Sequence, residues 1–150
     1  MKTKPDLVEF LCNAGPKFDD EAIDAINSRP HYISGIDHVQ VAVPEGQEQA
    51  CRDFYLGILG LREIPRPERG AGRSFLWVSV GEQEVHFRPD AEFAPSRFAH
   101  PGFLVGNAEA LATALIKAGF EVSRGDAVGS GRFHTRDPFG NRLEFIESGR

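Results

Sequence analysis

Residues 132–147 read RFHTRDPFGNRLEFIE and contain two short segments with strand-like patterning on either side of a turn. In the second segment Leu143 and Phe145 flank Glu144, so apolar and polar side chains alternate with the two-residue period of a β-strand. The intervening DPFGN combines an aspartate, a proline, a glycine and an asparagine, which are typical of tight turns. The predicted strands are Arg132 to Arg136 and Asn141 to Glu147.

Upstream of this hairpin, the sequence 36–90 predicts one complete βαβββ order. IDHVQVAV, which begins at Ile36, alternates valines with other residues and predicts a strand that has a buried face. EGQEQACRDFYLGILG then has apolar residues at helical spacing and ends at Gly60, a residue typical of helix C-caps. Three further strands are predicted, over 61–64, 74–80 and 84–88.

The same order recurs in the second half of the chain. A strand is predicted over 100–105, a helix over 107–118 capped by Gly119, and a strand over 120–123 ahead of the terminal hairpin. His38 to His100 is 62 positions, Gly60 to Gly119 is 59 and Glu84 to Glu144 is 60. The sequence therefore predicts an α+β fold of two βαβββ modules, over 34–90 and 98–148, that form a concave cleft. A short helical extension is predicted over residues 1–33.

Composition excludes several classes of function. The chain has 150 residues, 41% of them apolar and 26% charged, with a formal charge of −5. It lacks the basic surface that nucleic-acid binding requires, so we expect no nucleic-acid partner. We expect no membrane association and a cytoplasmic location, because no apolar run is long enough to span a bilayer and no signal peptide is evident. Cys12 and Cys51 lie outside any metal-binding or redox motif, so we expect free thiols.

Histidine and glutamate recur at related places in both modules. His38 and His100 open the first strand of each module, and Glu84 and Glu144 lie on the last strands. Strand alternation turns these four side chains away from the helix side of the sheet. Polar groups that share a cleft are costly to desolvate without a partner, and imidazole with carboxylate suits a divalent cation. The pattern predicts a metal site.

Five segments carry a resemblance to a known family: GIDHVQVAV, FYLGILGLREI, EVHFRPD, AHPGFLVGN and RFHTRDPFGNRLEFIE. Together they resemble the vicinal oxygen chelate superfamily, which includes glyoxalases, bleomycin-resistance proteins and extradiol dioxygenases, over about residues 34–148. The DPFGN turn is similar to the DPxGN turn that these proteins place before their last, ligand-bearing strand. The resemblance implies that His38, His100 and Glu144 hold a divalent metal: Zn, Ni, Mn or Fe.

The resemblance also implies a fourth position on the last strand of module one. By pattern it falls on Glu84, which becomes the candidate general base; His86, on the same face, is the alternative member of the metal site. The aromatic, imidazole and guanidinium groups on the open faces are candidates for binding the substrate. These candidates are Phe75, Trp77, His86, His134 and Arg136.

Three functions follow from the resemblance. The first is a metal-dependent, glyoxalase-like lyase or isomerase that acts on a small molecule through its adjacent oxygens. The alternatives are a metal-free small-molecule binding protein, like the bleomycin-resistance members, and an Fe(II) extradiol-type dioxygenase. Paired-module members of the superfamily commonly dimerise, so we expect a homodimer, with the site completed either within one chain or across two.

Overall fold

A computed structural model of the protein describes residues 33–66, 74–124 and 131–149. The predicted helical extension, apart from Ile33, lies outside these residues, and so do Cys12 and most of the glycine- and arginine-rich loop that follows the second predicted strand. Within the described ranges, none of the helices has the length and apolar character needed to cross a membrane.

Module one has the predicted βαβββ order. Strand β1 is His38–Pro44, helix α1 is Glu48–Arg52, β2 is Arg62–Glu63, β3 is Leu76–Val80 and β4 is Gln83–Asp90. Their order in the sheet is β1-β4-β3-β2. Strand β1 is parallel to β4, and the other neighbours are antiparallel. The crossover between the parallel strands β1 and β4 requires a long connection, which helix α1 and the β2–β3 pair supply.

Module two repeats this topology. Strand β5 is Gly102–Val105, helix α2 is Ala108–Lys117, β6 is Ser123–Arg124, β7 is Arg132–Arg136 and β8 is Arg142–Glu147. The sheet order is β5-β8-β7-β6, again with the first and last strands parallel. The predicted α+β fold of two βαβββ modules is confirmed. Strand β5 starts two residues later than predicted, since Pro101 has no backbone N–H to donate.

Helix α1 continues as a π-helical turn over Asp53–Ile58, which the sequence did not predict. The N–H of Leu59 donates to the carbonyl of Phe54 at 2.9 Å, one residue further back than in an α-helix. Both Phe54 and Tyr55 are buried in this turn, although they are adjacent in sequence. The wider turn therefore directs two large aromatic side chains into the core.

The buried apolar side chains of both modules form one cluster. The rings of Phe54 in module one and Phe120 in module two lie 4.8 Å apart, so the helical sides of the two sheets pack together. Cys51 is fully buried in this cluster, and burial raises the pKa of its thiol to about 12. A thiol in this state is unreactive, as expected for a structural cysteine.

The DPFGN turn connects the two modules through a buried carboxylate. Asp137 accepts hydrogen bonds from the Tyr55 hydroxyl, from the Asn141 backbone and side chain, and from the Phe139 N–H, all at 2.8–2.9 Å. The Asn141 amide also donates to the Ala42 carbonyl of β1 at 2.9 Å. These bonds fix the β7–β8 hairpin against module one.

The carboxyl of Asp137 makes the stability of the protein depend on pH. Burial raises its pKa above the ordinary value of 3.8, although hydrogen bonds from Asn141 and Tyr55 oppose the shift. The folded state therefore takes up this proton first on acidification, so the contribution to stability is complete below the unfolded pKa and is lost as pH rises through the folded pKa. On lowering the pH from about 7 to about 4, we expect the unfolding free energy of the wild type to rise relative to that of Asp137→Asn. Urea unfolding of both proteins measures this difference, and a difference independent of pH would contradict the assignment.

Candidate metal centre

Three side chains of types that can ligate a metal converge on the open face of the second sheet, the face turned away from helix α2. His100 precedes β5, His134 lies on β7 and Glu144 lies on β8, directly opposite His134 in the strand register. His100 Nε2 is 3.5 Å from Glu144 Oε2, and His134 Nε2 is 3.5 Å from Glu144 Oε1. One ligand atom from each residue lies within 4.8 Å of the other two. The sheet alone therefore assembles two imidazoles and one carboxylate.

The surroundings of this cluster orient His100 and lower the pKa of His134. His100 Nδ1 is 2.6 Å from the Phe98 carbonyl, so this contact leaves Nε2 directed toward Glu144. Burial and the nearby charge of Arg142 lower the pKa of His134, against the opposing effect of Glu144. A neutral imidazole is the form that binds a metal. The Arg132 Nε lies 3.2 Å from Glu144 Oε1 and partly compensates the carboxylate charge.

The geometry of the cluster suits a divalent cation. The two histidine nitrogens each lie 3.5 Å from an oxygen of Glu144, which is too long for a good hydrogen bond. This separation matches the distance between two ligand atoms that each lie about 2.1 Å from one metal ion. Gly102 faces Glu144 across β5 and β8, and a Cβ there would lie 3.4 Å from Glu144 Oε2. Glycine thus leaves free space beside the carboxylate. The donor chemistry, nitrogen with oxygen, fits Zn, Ni, Mn or Fe.

The open face of module one carries an aromatic stack. The ring centroids of Trp77 and His86 are 3.7 Å apart, and those of His86 and His38 are 4.2 Å apart. Both pairs are stacked. His86 Nε2 is 2.8 Å from the carboxylate of Glu84, and His38 Nδ1 is 2.9 Å from that of Asp37. Two imidazoles here lie against one another, and each contacts a carboxylate.

Strand register shows which positions of the two modules correspond. In module one Trp77 pairs with His86 across the β3–β4 hairpin, and in module two His134 pairs with Glu144 across β7–β8. On both last strands the polar residue lies between two buried apolar neighbours: Val85 and Phe87 around His86, and Leu143 and Phe145 around Glu144. His86, rather than Glu84, therefore occupies the place that corresponds to Glu144. Glu84 corresponds to Arg142, so the 60-residue spacing from Glu84 to Glu144 paired residues that are not equivalent.

The sequence-predicted ligands His38, His100 and Glu144 divide between the two sheets. Within the described ranges, His100, His134 and Glu144 form the group of donors close enough to share one ion, and His38 is not part of it. His134, predicted to contact the substrate, lies beside His100 and Glu144 in this cluster. The sequence signal for this placement was the position of His134 opposite Glu144 in a short hairpin. That signal can be used only when the strand register is known.

The remaining predicted substrate-binding residues lie at different depths. Phe75 packs against the hydrophobic core, and its N–H donates to the Phe87 carbonyl at 2.9 Å. Arg136 is exposed and donates to the Gly140 carbonyl at 2.6 Å. Together with His134 and Arg142 it lines part of an open depression of about 960 Å³. Arg136 is therefore accessible from solvent, whereas Phe75 packs against the core.

Comparison with known proteins agrees with this architecture. The family model of the Glyoxalase/Bleomycin resistance protein/Dioxygenase superfamily matches residues 35–145. A crystal structure from Bacillus anthracis, described as that of a glyoxalase family protein, is 43% identical, with a TM-score of 0.72. That match covers 81% of this chain and 100% of the other. None of the curated proteins compared with the chain matches it.

Two more distant structures share the fold alone. The fosfomycin resistance protein FosX from Mesorhizobium loti is 16% identical with a TM-score of 0.61, over 79% of this chain and 95% of the other. The lactoylglutathione lyase from Agrobacterium tumefaciens is 18% identical with a TM-score of 0.58, over 80% and 96%. The same architecture thus occurs in a fosfomycin resistance protein and in a lactoylglutathione lyase, so the site rather than the fold must distinguish between functions.

Proposed function

Because the chain belongs to the Glyoxalase/Bleomycin resistance protein/Dioxygenase superfamily, we propose that it is a divalent-metal enzyme of the glyoxalase-like type. Its reaction is a lyase or isomerase step on a small molecule that presents two adjacent oxygens to the metal. The observation that supports this most is the convergence of His100, His134 and Glu144 on one open sheet face. An imidazole and carboxylate cluster of this kind is suited to metal binding, and its three members lie outside the buried apolar core.

The proposed ligand set extends beyond one chain. His100 and Glu144 come from module two, and His38 comes from module one of a second copy in a homodimer. The placement of His38 outside the three-residue cluster supports this arrangement, because one chain does not bring it to the other donors. A two-fold dimer supplies each site with the missing imidazole. His134 lies beside the same carboxylate and is a fourth candidate donor.

The proposed general base is Glu84. A bound divalent cation polarises the substrate oxygens and lowers the energy of negative charge that develops on them. The side chain of Glu84 is 37% exposed, so its carboxylate can reach a substrate proton next to a carbonyl. His86 Nε2, 2.8 Å away, orients that carboxylate, and the stack with Trp77 restrains the imidazole ring. His86 is thus a positioning residue for Glu84.

Two other functions each have one observation in their favour. The cluster of His100, His134 and Glu144 is a two-histidine, one-carboxylate set within one chain, as used by non-haem Fe(II) oxygenases, which favours an extradiol-type dioxygenase. The stack of Trp77, His86 and His38 offers flat aromatic surfaces, which favours a metal-free protein that binds planar small molecules.

Metal analysis of the full chain, purified without chelator and then supplied with metal, tests the proposal. We expect about one transition-metal ion per chain in the wild type and loss of that metal in both His38→Ala and Glu144→Ala, since each removes a ligand. Glu109→Ala is the matched control, because Glu109 is exposed and pairs with Arg124 away from the site. A wild type that stays metal-free would contradict the proposal and favour the metal-free small-molecule binding protein. Iron retained in His38→Ala but lost in His134→Ala would favour the dioxygenase.

A further inference from the structure

Two arginines lie side by side next to the metal-binding cluster. Arg136 on β7 is directly opposite Arg142 on β8 in the strand register. Each is two residues along its strand from the pair formed by His134 and Glu144, so all four side chains share one face of the sheet. Two residues of strand correspond to a distance of roughly 7 Å. The guanidinium pair thus adjoins the cluster on the open face.

Among the described residues, no carboxylate forms an ion pair with either arginine. Arg142 is half-buried and forms no ion pair or hydrogen bond with any described residue, and Arg136 donates only to the Gly140 carbonyl. The nearby Asp137 carboxylate is buried and bonded to Tyr55 and to the turn. Like charges placed directly opposite across a strand pair are destabilising. Because this arrangement lowers stability, the two arginines are better explained by binding of an anion than by a contribution to folding.

The described acidic groups near the arginines do not pair with them. Glu144 contacts Arg132, His100 and His134. Glu121 is exposed on the rim of the same depression, but it forms no ion pair with either arginine among the described residues. The depression is therefore open to an anion from solution.

Module one shows that the fold does not require positive charge at this place. The positions that correspond to Arg136 and Arg142 are Ser79 and Glu84, which pair across the β3–β4 hairpin. The duplicated sheet thus forms with a hydroxyl and a carboxylate where module two has two guanidinium groups. The charge of this pair is specific to module two.

We propose that Arg136 and Arg142 form a subsite for an anionic group of the substrate, either a carboxylate or a phosphate. Guanidinium groups bind such oxyanions through paired N–H donors. The subsite lies roughly 7 Å from the metal-binding cluster, so the substrate is a small acid or phosphate ester whose anionic group is a few bonds from its two chelating oxygens. The substrate assignment rests on the proposed function, whereas the anion site itself does not depend on a metal.

Isothermal titration of the full chain with inorganic phosphate, and separately with succinate, tests the subsite. We expect Arg136→Gln and Arg142→Gln each to raise the dissociation constant about tenfold or more for the probe that binds, because each removes charged donors. Arg124→Gln is the matched control, since this arginine lies on the neighbouring strand β6 and pairs with Glu109. Arg136 is exposed, so its variant keeps the test valid even if Arg142→Gln fails to fold.

Titration of Glu144→Gln separates this inference from the proposed function. This variant removes a proposed metal ligand but leaves both arginines, so we expect arginine-dependent phosphate or succinate binding to persist in it. A metal-free wild type with arginine-dependent anion binding would overturn the proposed function and retain the subsite. The subsite would be overturned if the Arg136 and Arg142 variants bound both probes as tightly as Arg124→Gln, whatever the metal content.

Discussion

Replacement of Asp137 by alanine is expected to lower the free energy of unfolding by about 3–5 kcal/mol. The carboxylate accepts hydrogen bonds from Tyr55, Phe139 and Asn141, and it is 4% exposed. Its loss leaves several donors without a partner in the interior, and each unsatisfied buried donor costs about 1–3 kcal/mol. Chemical unfolding by urea, followed by circular dichroism, measures the change.

Asp137→Ala should also disturb the relative position of His134 and Glu144. The turn connects β7, which carries His134, to β8, which carries Glu144, so the two side chains depend on it for their relative position. Glu121→Ala is a suitable control, because that side chain is exposed and the expected change is below about 0.5 kcal/mol. Tyr55→Phe removes only one of the donors and should cost about 1 kcal/mol. A loss for Asp137→Ala no larger than that for Tyr55→Phe would contradict the network.

Mixing two metal-free variants is expected to restore metal binding. If each site combines His38 of the partner subunit with His100 and Glu144, a heterodimer of His38→Ala and Glu144→Ala chains contains one intact site and one doubly defective site. Random reassembly makes about half of the dimers mixed, so metal should return to about a quarter of an ion per chain. Metal analysis after unfolding and refolding the mixture measures this recovery.

The controls for the mixing experiment are the two variants refolded separately, which should both stay metal-free. No recovery in a mixture that forms dimers would show that one chain must supply all ligands. If refolded His38→Ala alone kept its metal, the cluster of His100, His134 and Glu144 would be the complete protein contribution, and the role proposed for His38 would be wrong. The result therefore decides between the two ways of completing the site.

Local sequence patterns were sufficient for the secondary structure of most of the described chain. The strand over Arg132–Arg136 has the predicted bounds, and helix α2 begins after Asn107, whose side chain accepts from the Ala110 N–H at 2.9 Å. Gly60 and Gly119 both adopt positive φ where the helices end, at 70° and 87°. Caps, turns and two-residue alternation act over a few residues, so they can be identified without a structure. The π-helical turn was missed because it depends on burying Phe54 and Tyr55 together.

The sequence by itself determined that this protein consists of two βαβββ modules with histidine and glutamate on their open faces. Only the tertiary structure decided which of these side chains lie together: His134 with His100 and Glu144, and His86 with His38 and Trp77. The physical reason is that a strand's alternation fixes the face on which a residue lies, whereas its neighbours on that face depend on cross-strand register. Register is set by contacts between residues far apart in the chain, such as β1 with β4 and β5 with β8.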